Sequence, residues 1–172
     1  MGEILCVILG VIGVGSFLFH THATQWASTA DVVPIGVFIL TYLYLVNWHI
    51  LGWPWWVALV ATLGFIPYAA GIVPILKDIP FVRISNFYWT VPILLLIYAA
   101  FMGRAHPKTA RGFVIGAVLL GVSISIRSLD EDLCAHWPIG THFAWHILNG
   151  VMLAWMIEVY RRHMVEARAQ RG

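Results

Sequence analysis

GSFLFHTHATQWASTAD, residues 15–31, joins two stretches of chain that are otherwise almost wholly apolar. Ile4 to His20 leads into it and Asp31 to Asn47 leads out. Each is close to the roughly 20 residues a helix needs to cross about 30 Å of hydrocarbon. The join reads as the end of one membrane span and the start of the next. Polar side chains at that depth are costly, so Ser16, His20 and Asp31 at one join form a candidate site rather than a casual loop.

The composition outside the join supports the same class. Of 172 residues, 60% are hydrophobic and 10% charged, with a mean hydropathy of +0.83. A soluble domain carries about a quarter charged residues, so this chain has too little charge to cover a water-facing surface. Four further stretches qualify as spans: Trp55 to Leu76, Phe87 to Met102, Gly112 to Ile126, and Ile139 to Tyr160. Helices satisfy their own backbone groups in lipid. The expected fold is therefore an all-α, polytopic transmembrane helix bundle of six spans in one domain, residues 1–172. Gly52–Pro54, Pro80 and Pro107 punctuate the short connections as chain breakers.

The formal charge of +2 is not gathered into a basic patch, which argues against a nucleic-acid partner. Cys6 and Cys134 are too few for a disulfide framework. The first 20 residues carry only Glu3 as a charge, unlike the positive start of a cleaved signal. An even number of spans puts both termini on one side. That side holds Arg104, Lys108, Arg111, Arg161, Arg162, Arg168 and Arg171, against Lys77, Arg83 and Arg127 on the other. The excess predicts a cytoplasmic amino terminus and carboxyl tail.

With that topology, span one ends, span two begins and span six begins in the same, non-cytoplasmic leaflet. Ser16 and His20 are four residues apart, so a helix sets them on one face. His142 and His146, in GTHFAWHILNG, repeat the spacing at the start of span six. An isolated H-x-x-x-H arises by chance, and an Asp at a helix start is commonly an N-cap. Five such side chains at one depth, drawn from segments more than a hundred residues apart, point instead to a site. Three imidazoles would leave an open position on a tetrahedral Zn²⁺, as in catalytic zinc centres. Asp31 is the right type to move a proton, and Ser16 to donate a hydrogen bond to a developing oxyanion. The other histidines read as bland. His22 lies about 200° from His20 around a helix, His136 falls in the outer loop, and His49, His106 and His163 are placed at the opposite interface as solvated side chains.

The series G-x-G-S-x-x-F-H, then Gln25, then D-x-x-P, and finally G-x-H-x-x-W-H closely resembles the alkaline ceramidase family. That family sits in a wider superfamily of membrane hydrolases with the progestin and adiponectin receptors and the enzymes that remodel GPI-anchor lipids. The matching residues are Gly13, Gly15, Ser16, Phe19, His20, Gln25, Asp31, Pro34, Gly140, His142, Trp145 and His146, with Arg127, Asp130 and Cys134 fitting the approach to the last span. The match runs from about residue 10 to 150, with its diagnostic residues in two short blocks. The resemblance implies zinc held by His20, His142 and His146, with Ser16 and Asp31 beside it. It implies hydrolysis of the ceramide amide bond, the lipid substrate entering from the bilayer. The same superfamily offers an alternative, a lipid-binding receptor with little turnover. A haem carrier would need only two axial histidines and gives no role to Ser16 or Asp31. Two departures from the family pattern are visible. The first of its seven spans has no counterpart here, and with it goes the acidic segment that resembles a calcium site, so no such site is expected. Val32 also stands where the family often has Glu after the aspartate.

Overall fold

A computed structural model describes residues 2–130, 133 and 140–170. The described chain is helical: α1 (Gly2–His22), α2 (Gln25–Leu45), α3 (Trp55–Leu63), α4 (Phe65–Leu76), α5 (Asn86–Met102), α6 (Pro107–Ser128) and α7 (His142–Ala169), with a π-helical turn at Val46–Ile50 and a short 3₁₀ turn at Arg83–Ser85. No strand occurs among the described residues. Among the described residues, five helical segments are long and apolar enough to cross a membrane: Gly2–His22, Gln25–Ile50, Trp55–Leu76, Arg83–Met102 and Pro107–Ser128. Large apolar side chains along them are exposed, Phe17 at 68% and Phe101 at 66% among them, as surfaces meant for lipid would be. The polytopic helical architecture expected from the sequence is the one observed.

The boundaries differ in instructive ways. The second span begins at Gln25 instead of Asp31. Trp26, Ala27 and Ala30 let the helix start early, and the connection shrinks to Ala23–Thr24. Ala23 takes a left-handed conformation (φ 46°), and its N–H donates to Phe19 O at 2.8 Å, a left-handed helix terminus. Asp31 is therefore a residue of the second turn of α2 and not an N-cap, a role that falls to Thr24. The third span is interrupted at Gly64 between α3 and α4. Within the described residues the sixth candidate begins at His142 and runs past Tyr160 to Ala169.

The chain divides into two compact units, Met1–Phe65 with Tyr160–Gly172, and Ile66–Val159. In the first, α1 and α2 form a hairpin that closes on Gly15. A Cβ at Gly15 would stand 2.8 Å from the Ala30 carbonyl carbon and 3.2 Å from the Asp31 nitrogen. Without a hydrophobic drive between helices in lipid, small residues that admit close backbone approach are what hold such pairs. Where α2 runs into the π turn, the fully buried Asn47 donates through Nδ2 to Thr62 Oγ1 at 3.3 Å, and Thr62 Oγ1 donates to Ala58 O at 2.7 Å. The Asn47 amide nitrogen and the Thr62 hydroxyl each find a protein partner, as buried polar groups do.

In the second unit, Tyr68 donates to Thr90 O at 2.9 Å, tying α4 to α5, and Tyr98 stacks on Phe113 between α5 and α6. α7 seats on α6 at Gly112 and Gly116. A Cβ on Gly112 would meet Val159 Cγ2 at 2.6 Å, and one on Gly116 would run into Met156. The Trp155 indole N–H donates to Gly112 O at 2.9 Å. The four-residue spacing of those glycines is the small-x-x-x-small pattern of close helix pairs in membranes.

The Gly15 contact gives a sharp test. Gly15→Ala sets a methyl against backbone that has no rotamer to yield, so it should lower stability by about 1–3 kcal/mol, the cost of overpacking. Gly13→Ala, with nothing within 4 Å of its Cβ position, should be neutral or slightly stabilising. Thermal unfolding of the two variants in detergent distinguishes them.

Candidate functional site

The first unit supplies three of the five sequence-derived candidates. Ser16 and His20 sit one turn apart on α1, Ser16 half-buried and His20 exposed. Asp31 is half-buried on α2. The Gly15 contact is made to the backbone of Ala30 and Asp31, so the residue before Ser16 touches the peptide that carries the aspartate. Helix packing thus brings Ser16 and Asp31 to one level of the hairpin. Gln25 opens α2 as an exposed residue.

The second unit supplies the other two. His142 is the first residue of α7 and His146 lies one turn on. Their ring centroids are 4.9 Å apart, inclined at 70°. The start of that helix is set from outside it. The first N–H groups of any helix lack internal partners. Here the carboxylate of Asp130, just past the end of α6, answers two of them. Asp130 Oδ1 accepts from the Thr141 N–H at 2.5 Å and from the His142 N–H at 2.9 Å, with the Thr141 hydroxyl at 3.3 Å. The same hydroxyl donates to Ile126 O at 3.1 Å. Gly140, at φ 65°, makes the left-handed turn that delivers the chain to this cap, a conformation glycine adopts without steric cost. Partial burial pushes the Asp130 carboxyl upward, but the two backbone N–H bonds, the nearby His142 and the Thr141 hydroxyl outweigh it and hold the group below its usual range. A negative carboxylate at a helix start also suits the helix dipole.

One helical turn before Asp130, Arg127 makes a second tie. Its Nη1 donates to Ser85 Oγ at 2.7 Å. Its guanidinium lies 5.2 Å from the Tyr88 ring centroid and 5.4 Å from that of Trp145, within cation–π range. Trp145 is buried, meets Tyr88 edge-on, and its carbonyl accepts from Ser123 Oγ at 3.2 Å. The indole between the two histidines is thus held by α5 and α6 together.

The histidines read as bland have surroundings of their own. His22 packs on the Trp26 ring. His49 is not a solvated interfacial side chain: half-buried in the π turn, its Nδ1 lies 2.5 Å from the Tyr160 hydroxyl. The Trp48 ring also stacks on it, with centroids 4.5 Å apart. Cys134 and His136 lie outside the described residues. Sequence reasoning placed Asp130 only on the approach to the last span and missed the cap it forms. The available signal was a glycine and threonine immediately ahead of an apolar helix, which mark a helix start in want of an acceptor. Comparison with protein-family models, curated proteins and solved structures finds no match.

Trp145 carries the prediction here. Trp145→Ala should cost about 3–5 kcal/mol, as for other large aromatic truncations in a core, because it also strips Arg127 of one of its rings. Phe143→Ala, at a side chain 54% exposed, should cost far less. Chemical unfolding in mixed micelles gives both values.

Proposed function

We propose that the protein is a zinc-dependent intramembrane amidase that hydrolyses ceramide, or a related N-acyl lipid, to a sphingoid base and a fatty acid. The observation that carries the reading is the donor set. In this reading His20 of α1 joins His142 and His146, whose rings lie 4.9 Å apart on α7, on one metal ion. Three neutral imidazoles with no thiolate fit zinc, and three protein ligands match catalytic rather than structural zinc, which is closed by four. A zinc bound there supplies a Lewis acid that makes water nucleophilic at neutral pH.

The chain's own residues complete the chemistry. The Asp31 carboxylate accepts a proton from the attacking water and returns it to the departing amide nitrogen, so the amine leaves neutral. The Ser16 hydroxyl donates a hydrogen bond to the carbonyl oxygen as negative charge gathers on it. Water's oxygen ends in the fatty acid and the C–N bond breaks. The Gly15 contact supports this pairing of roles, since it sets hydroxyl and carboxylate on adjacent helices. The exposure of His20 and the 39% exposure of the His142 side chain support access for a substrate arriving sideways through the bilayer. The lysine and arginine asymmetry supports a cytoplasmic carboxyl tail, with the site in the opposite leaflet.

Purified protein should hold about one zinc per chain, as three histidines on one ion require, and should release fatty acid from ceramides. His142→Ala should lose both metal and turnover. Ser16→Ala and Asp31→Ala should keep the zinc and lower kcat by about 10²–10³-fold, the usual worth of an oxyanion donor or proton-transfer group. Metal analysis and fatty-acid release over a series of ceramide chain lengths read these outcomes. Full turnover by His142→Ala would rule the reaction out. Stoichiometric ceramide binding with no fatty acid released would replace the enzyme with a lipid receptor.

A further inference from the structure

We propose that Asp130 is a positioning residue that selects the tautomer of His142, keeping the proton on Nδ1 and offering Nε2 as the lone-pair nitrogen for metal. The inference rests on the reading of His142 as a zinc ligand and deepens it. A histidine binds a metal through one nitrogen only when the proton sits on the other, and a partner for that proton decides which.

The geometry lies wholly within one compact unit. Asp130 Oδ1 is committed to the backbone, accepting from Thr141 and His142 N–H. These bonds fix the carboxylate plane and leave Oδ2 turned toward the His142 ring, 3.7 Å from Nδ1. That separation exceeds a hydrogen bond, so what acts across it is Coulombic. A lone pair on Nδ1 would face an anion and be repelled, whereas an N–H there is attracted. The Asp130 side chain is only 19% exposed, so water screens the interaction incompletely. One carboxylate therefore does two jobs: it caps α7 and polarises the first ring of that helix.

Asparagine separates the two jobs. In Asp130→Asn the amide oxygen can still accept from the two backbone N–H groups, so the cap persists. Its NH₂ then faces Nδ1 and favours a lone pair there, moving the proton to Nε2, the nitrogen that must be bare to bind zinc. Asp130→Ala removes cap and polarisation together.

Zinc affinity, read by competition with a chromophoric chelator, should fall about 10–100-fold in Asp130→Asn, the usual loss when the outer partner of a ligating histidine is changed. Its unfolding temperature should fall far less than that of Asp130→Ala. Asp130→Ala should lose affinity and unfolding temperature together. Parental zinc affinity in a folded Asp130→Asn would overturn the inference while leaving the zinc site standing. Absence of zinc from the parent protein would instead remove the functional reading, and the inference with it. A second measurement needs neither metal nor variant stability. In ¹⁵N-histidine spectra of the metal-free parent, with the His142 signals identified by their loss in His142→Gln, the Nδ1–H tautomer should dominate. A dominant Nε2–H form would overturn the assignment.

Discussion

In hydrocarbon a polar group that does not bond to protein bonds to nothing, and the cost is several kcal/mol for each one left over. Local structure in this protein is organised around that constraint. Most backbone groups are answered inside helices. Near the places where a helix begins, ends or changes pitch, side chains add bonds of their own. Asn47 and Thr62 knit α3 to the π turn; Ser123 reaches across to the Trp145 carbonyl; Arg127 takes the Ser85 hydroxyl. Asp130 closes the start of α7. Only 10% of the chain is charged, and Arg127 and Asp130, both near the end of α6, are held there by named partners.

That constraint also explains why candidate catalytic residues lie beside packing devices. Ser16 follows the glycine on which α1 and α2 close, so the hydroxyl's position is inherited from a backbone contact and not from a flexible loop. His142 and His146 occupy the first two turns of a helix whose start is capped by one neighbour and whose intervening indole is gripped by others. Sites built on helices with fixed ends hold their geometry better than sites on loops. The proposed reaction would need that rigidity, since misplacing a reacting group by about 1 Å can cost two orders of magnitude in rate.

Much of this was legible in the sequence, and the limits are physical. Hydropathy revealed the spans because length and apolarity are what a bilayer selects. The i, i+4 spacings of Ser16 with His20 and of His142 with His146 followed from helix geometry alone. The early start of α2 was hidden because alanine, serine and threonine between Trp26 and Asp31 read equally well as loop or helix. The π turn at Val46–Ile50 depends on a partner fifteen residues away, Asn47 with Thr62, which local propensity does not register. Asp130 was hidden for the same reason. In the sequence it stands well apart from the last apolar stretch; only the fold brings it to Thr141 and His142. The seam at Gly112 and Gly116 carries a spacing that is readable, but which helix fills it is not.

The central claim is that three imidazoles share one ion. X-ray absorption at the zinc edge of the loaded protein tests it most directly. The account predicts three nitrogen donors at about 2.0–2.1 Å with the multiple-scattering pattern of imidazole and one lighter oxygen donor, and loss of one imidazole shell in His20→Ala. A spectrum with two imidazoles or fewer in the parent protein, or one that His20→Ala leaves unchanged, would contradict it.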